Sequence, residues 1–276
     1  EVAGSQVEPK MARAMTPAGA YRDFAGVVLV TPEASVLQEW LLSQDGATLT
    51  TRTCPVGETR GAKFAACTSW SAPEPVSSVG LAGPVRSFSA YLFPQADGSI
   101  GLEESVFDMS CGTRSERGCA IVDGDIDESA CGDWTSSEDA VSLGVPQQRA
   151  FDDEVVVSYV DSNGDLQVSQ DLVSLTGSKA WSRTCSAADT SPCSFSDAVS
   201  LSELGIHYPS IEGIGGYTYA DGDQIVYAET IIAPGGAAGA RRTCPVSGAN
   251  GVELDKCGSW ERVDFGAIAA TNDAVL

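Results

Sequence analysis

One phrase recurs four times along the chain and sets the period of whatever fold it adopts. It runs Arg-x-Cys, a loop, then a second Cys, and in three of the four copies a Trp three residues further on. The copies are Arg52-Thr53-Cys54 to Cys67 and Trp70, Arg117-Gly118-Cys119 to Cys131 and Trp134, Arg183-Thr184-Cys185 to Cys193, and Arg242-Thr243-Cys244 to Cys257 and Trp260. The third copy has a shorter loop and no Trp at the matching place. A spacing of roughly 60–66 residues means one supersecondary unit built four times.

Each unit extends upstream of its cysteines. A turn precedes each repeated Arg by about twenty residues: Thr31-Pro32-Glu33-Ala34, Asp97-Gly98, Asn163-Gly164 and Asp221-Gly222. Asp-Gly and Asn-Gly accept the positive φ of tight hairpins. Runs rich in β-branched and aromatic residues flank the turns, which reads as strands. Thirteen residues before each Arg stands an acid or amide: Glu39, Glu104, Gln170 and Glu229. Each unit opens near Pro17, Pro84, Pro146 or Pro209. Each is expected to close on one more strand, at Val76–Val79, Val141–Leu143, Val199–Leu201 and Val263–Phe265. No stretch keeps a 3.6-residue apolar period, so helix is expected to be scarce. A short turn of helix fits near Ser200–Leu204 or in the Cys loops.

A four-stranded meander cannot bury both of its faces alone. Repeating it around an axis covers the faces and protects the edges, so the expected fold is all-β, a four-bladed propeller of disulfide-stapled sheets of about 63 residues. The units run 14–80, 81–143, 144–205 and 206–270 of a single domain, with a short arm at each end. The alternative is two β-sandwiches of two units each. Neither the Trp-Asp signature of WD40 units nor hemopexin phrasing is present, so the period defines an architecture and not a family.

Nine cysteines, eight of them in evenly placed couples, point to an oxidising compartment. The expected bridges are Cys54–Cys67, Cys119–Cys131, Cys185–Cys193 and Cys244–Cys257, each worth about 2–3 kcal/mol. Cys111 is left over, either free, bridged to another molecule, or paired with Cys119 so that Cys131 is released. Short C-x2-C zinc knuckles are absent. The first residue is Glu1, as in a chain whose export signal has been removed, and the expected location is secreted, extracellular or periplasmic. A net charge of −22 makes nucleic acid and anionic membranes poor partners, and no apolar run is long enough to insert in a bilayer. The acidity reads as solubility in a salty or extracellular medium, or as cation binding.

Three groups of residues carry candidate chemistry. Glu39, Glu104 and Glu229 oppose Arg52, Arg117 and Arg242, while Gln170 opposes Arg183. These pairs either pin each blade in register or line a central channel able to hold an anion or sugar. Trp70, Trp134 and Trp260 either pack blade on blade or offer stacking platforms for sugars, as in propeller lectins; Trp40 and Trp181 fall outside the register and fit either role. Asp123, Asp125 and Asp127 alternate in the second Cys loop and form a candidate Ca²⁺ site, although Glu128 and Trp134 break the EF-hand pattern. Asp161–Asp165 reads first as a hairpin turn, and Asp152-Asp153-Glu154 as a solvated strand entrance.

His207 is the single histidine and has no nucleophile elbow near it, so a surface or packing role is expected. With 38 acids, a glycosidase pair can be neither located nor dismissed. Tyr21-Arg22 and Ser43–Gly46 only faintly resemble sialidase features, and the Asp-box does not recur. The leading expectation is therefore a secreted, non-catalytic, lectin-like binding module for carbohydrate, with repeated blade sites. The alternatives are a self-assembling extracellular subunit, whose partner is another protein or itself, and a glycoside hydrolase.

Overall fold

A computed structural model describes residues 20–263 apart from 31–33, 58–60, 96–97, 110–112, 140–150, 175, 189–192, 207–209, 237 and 248–250. Cys111 and His207 therefore lie outside the described residues, as do Pro17, Pro146, Pro209 and Val141–Leu143.

The chain folds into four antiparallel sheets in sequence order. The first contains β1 (Tyr21–Val30), β2 (Ser35–Ser43), β3 (Thr48–Val56) and β4 (Glu74–Pro75). The second contains β5 (Val85–Pro94), β6 (Ile100–Asp108), β7 (Thr113–Val122), β8 (Asp125–Asp127) and β9 (Thr135–Asp139). The third contains β10 (Phe151–Val160), β11 (Leu166–Ser174), β12 (Lys179–Ser186) and β13 (Val199–Ser200). The fourth contains β14 (Gly213–Asp221), β15 (Gln224–Ile232), β16 (Gly239–Ser247), β17 (Gly251–Val252) and β18 (Glu261–Val263). Gly98, Gly164 and Gly222 take positive φ at the hairpin tips, as the turn chemistry predicts.

The opening strands β1, β5, β10 and β14 touch one another in a closed ring. This is a four-bladed β-propeller, and it excludes the paired sandwiches. Each junction between blades holds its own apolar core. Trp40, Phe88 and Val106 fill the first–second junction, and Phe107, Phe151 and Trp181 the second–third. Val157, Ile214 and Ile231 fill the third–fourth, and Phe24, Leu41 and Tyr217 the fourth–first. Both faces of every sheet are thus covered, which one small sheet cannot achieve alone. Trp40 and Trp181 are buried in these cores.

The axis is narrow. A Cβ on Gly215 would come within 1.6 Å of the Phe24 carbonyl oxygen, so only glycine lets β14 lie against β1. Two carboxylates stitch the ring. Asp23 accepts from the amides of Phe24 and Phe88, and Asp153 from those of Glu154 and Ile214. Each thereby ties its own blade to the next. Asp153 and Glu154, read from sequence as a solvated entrance, are buried. A register shift between Phe151 and Asp153 accompanies the change.

The closing strands differ from expectation. In the first blade the outer strand is Glu74–Pro75, and Val76–Val79 is a 3₁₀ turn instead. Pro75 precedes it, the Ser78 hydroxyl donates to the Pro75 carbonyl, and Gly80 ends it at positive φ. The chain must bend there to start the next blade. Val199–Ser200 is a strand as expected, followed by a turn in which Leu204 N–H reaches the Ser200 carbonyl. Short 3₁₀ turns also sit in the Cys loops at Phe64–Ala66, Glu128–Ala130 and Leu254–Lys256.

Candidate functional site

The four expected disulfides are present: Cys54–Cys67, Cys119–Cys131, Cys185–Cys193 and Cys244–Cys257. Beside each lies the same three-part cassette. The acid or amide on the second strand and the Arg on the third are direct cross-strand partners in every blade. Arg52 Nε lies 2.5 Å from Glu39, Arg117 Nε 2.6 Å from Glu104, Arg183 Nε 2.7 Å from Gln170, and Arg242 Nε 2.5 Å from Glu229.

The other face of each guanidinium covers an aromatic ring. The distances to the ring centre are 4.3 Å for Trp70, 4.9 Å for Trp134 and 4.4 Å for Trp260. The third blade has no Trp at the matching place, yet Phe195 fills it, 4.4 Å from Arg183. It stands two residues after Cys193 instead of three, so a strict spacing misses it. Trp134 Nε1 donates to the Val79 carbonyl and Trp260 Nε1 to that of Gly205, each in the connector from the preceding blade. Arg117 Nη1 donates to the same Val79 carbonyl. The cassette thus joins strand to strand and blade to blade.

Because these Arg and Glu residues occupy second and third strands, they do not line the axis. A central ring of charges is excluded by topology, for the axis belongs to β1, β5, β10 and β14. Burial raises the Glu104 carboxyl above the usual range while Arg117 pulls it down, and pushes Glu229 up to about 7 against the opposing pull of Arg242. Gln170 explains itself here. Its amide accepts from Arg183 and donates to buried Glu154, which also takes Arg114 Nε at 2.9 Å and the Ser105 hydroxyl at 2.9 Å. A carboxylate at 170 would face Glu154 with like charge.

The acidic loop does not gather its carboxylates. Asp123 and Gly124 make a tight hairpin in which Ile121 pairs with Ile126 and Val122 with Asp125. Asp127 accepts from the Ser129 amide and hydroxyl. Asp123 is taken up by the turn at positive φ and Asp127 by capping the 3₁₀ turn that follows. Among the described residues no group of three His, Cys, Asp or Glu converges on a metal-sized point. Asp161 likewise accepts from Asn163 and Asp165 amides as a turn residue.

Two clefts flank the fourth blade. The smaller, about 500 Å³, lies beside Trp260, Arg242 and Glu203 at the third–fourth junction. The larger, about 920 Å³, runs along the outer part of the fourth blade and opens against the first; Phe64, Tyr217, Tyr219, Arg52 and Arg241 line it. Phe64 is 41 % exposed, and its ring centre lies 4.3 Å from the Arg241 guanidinium. Asp221, Glu261 and Arg262 complete its charged lining. None of Phe64, Tyr217, Tyr219 or Arg241 was singled out as a site residue from sequence. The available signal was Arg241 itself, since the other copies carry Thr51, Glu116 and Ser182 before their Arg.

No family model matches the chain, and no curated protein matches it. Among solved structures it is similar to the fucose-specific lectin of Aleuria aurantia, at 13 % identity over 92 % of this chain and 67 % of that one, with a TM-score of 0.40. A complex of the Aleuria aurantia lectin with alpha-methyl-L-fucoside gives 10 % identity over 89 % and 80 %, with a TM-score of 0.43. A fucose lectin from Kordia zhangzhouensis gives 14 % over 60 % and 99 %, with a TM-score of 0.28. At these values no ligand or binding residue carries over to this chain.

Proposed function

We propose that this propeller is a non-catalytic carbohydrate-binding module acting in an oxidising, extracytosolic setting, with its ligand seated in the cleft between the fourth and first blades. One observation carries the reading. That cleft puts exposed Phe64, with buried Tyr217 and Tyr219 behind it in the wall, beside the guanidinium groups of Arg52 and Arg241 and the carboxylates of Asp221 and Glu261. A sugar presents an apolar C–H face and a belt of hydroxyls, and needs both kinds of partner at once. The cassettes of the other three blades are a weaker choice, because in each a single Arg already covers an aromatic ring and holds an acid or amide.

A glycan array on the disulfide-intact chain tests the reading, followed by calorimetry on the best hits and on alpha-methyl-L-fucoside. Binding that Phe64→Ala weakens at least tenfold, with unchanged melting, supports it. An empty array refutes it.

A second reading, self-assembly, rests on a separate observation. Val30, Ile100 and Val160 stand 73 %, 47 % and 51 % exposed beside the first hairpin of three successive blades, hence at one end of the axis. Sedimentation and electron microscopy of the purified chain distinguish a monomer from an end-to-end polymer.

A further inference from the structure

In the three cassettes that carry an acid, charge pairing follows a pattern with one exception. Buried Glu104 holds the single cassette arginine Arg117, and buried Glu229 holds Arg242. Buried Glu39 holds two guanidinium groups. Arg52 Nε lies 2.5 Å from Oε2, and Arg241, which reaches across from the fourth blade, places Nη2 3.0 Å from Oε1. The Glu39 side chain is 0 % exposed, and those of Arg52 and Arg241 are 13 % and 10 % exposed. Among the described residues neither guanidinium pairs with a second carboxylate. Two fixed cations thus share one anion at the floor of the larger cleft.

A buried cation without its own counter-ion is costly. Aromatic faces offset part of that cost: Phe64 lies 4.3 Å from Arg241 and 6.0 Å from Arg52, and Phe24 and Tyr217 lie 5.3 and 5.5 Å from Arg241. Rings stabilise a cation less than a carboxylate does. The Arg241 Nε is held by the Thr230 hydroxyl at 2.7 Å, which fixes the plane of the guanidinium before any ligand arrives. This chain carries 38 acids against 16 Lys and Arg, so a floor with surplus positive charge is the opposite of its surface.

We infer that the cleft selects a carboxylate-bearing saccharide, with the sugar acid paired to the Arg52–Arg241 floor and the ring resting on Phe64. The inference depends on the carbohydrate reading above and adds the charge of the ligand to it. Arginine forks match a planar carboxylate, and a partly dry cleft strengthens the pairing.

The test compares acids with neutral twins of the same shape. Digalacturonate and sialyllactose are each titrated by calorimetry against their methyl esters, at low and at 0.5 M salt. The expected result is binding of at least one acid ten or more times tighter than its ester, with the preference shrinking in salt. Arg241→Gln is expected to abolish the preference for acid over ester. Should that variant fail to fold, Phe64→Trp gives a tolerant reporter at an exposed position, whose added emission must respond to the acid.

Equal binding of acid and ester, or array hits confined to neutral glycans, overturns the inference and leaves the carbohydrate reading standing. No binding of any saccharide overturns both. Acid binding without a response from the Phe64→Trp reporter places the ligand elsewhere and also overturns it. So does a blocked C-terminal dipeptide that binds as tightly as the sugar acids, since the cleft would then read a carboxylate without its sugar.

Discussion

At the residue scale the repeated arginine is a three-way tie. It joins an acid on the neighbouring strand, an aromatic beyond the disulfide and, in the second blade, a connector carbonyl. Removing it leaves a carboxylate in the dry interior. Arg117→Ala is therefore expected to cost about 3–5 kcal/mol by urea unfolding, most of it from stranded Glu104. Adding Glu104→Gln should recover a large part of that loss, because Gln170 shows that an amide serves at this position. The acid–arginine pairing was legible in sequence because thirteen residues is one hairpin's return path. The third aromatic was not, because Phe195 sits one place out of step. Arg241 and Phe64 were also hidden, for neither repeats and they meet only when the fourth blade closes on the first.

At the element scale a disulfide closes each Cys loop onto its own third strand. Reducing the four bridges is expected to lower stability by about 2–3 kcal/mol per loop, read as a fall in urea midpoint with and without a phosphine reductant. The second loop tests how far a sequence pattern reaches. Its alternating Asp residues looked like calcium ligands, but Asp123 makes the turn and Asp127 caps the 3₁₀ turn that follows. Ca²⁺ or EDTA is expected to leave the melting temperature unchanged, and a rise of several degrees with Ca²⁺ would show that the hairpin rearranges around an ion. The closing strands were the least legible elements. They are two to five residues long, and at Val76–Val79 the need to turn toward the next blade outweighs β propensity.

At the scale of the whole molecule the ring is held at its axis by Asp23 and Asp153, from opposite blades. Burial pushes the Asp23 carboxyl up to about 8, opposed by the amides of Phe88 and Phe24, by its hydrogen bond to Asp153 and by Arg22. The folded chain then keeps a proton that the unfolded chain releases near pH 4. Stability contributed by that proton is complete below about pH 4 and is lost as pH rises toward 8, the reverse of an ordinary salt-bridged acid. Thermal melts between pH 5 and 9 are expected to show a falling midpoint, and Asp23→Asn should flatten the slope even if it lowers the plateau. A midpoint that climbs over this range would contradict the shared proton. By itself the sequence determined the module: its period, its strands, its bridges and its cross-strand pairs, all set by contacts within some twenty residues of chain. Tertiary structure alone decided which groups became buried at the axis, which glycines let strands meet there, and that a single junction carries two arginines on one acid. Those outcomes depend on the ring closing, which places residues from the two ends of the chain against each other, and no local pattern encodes that meeting.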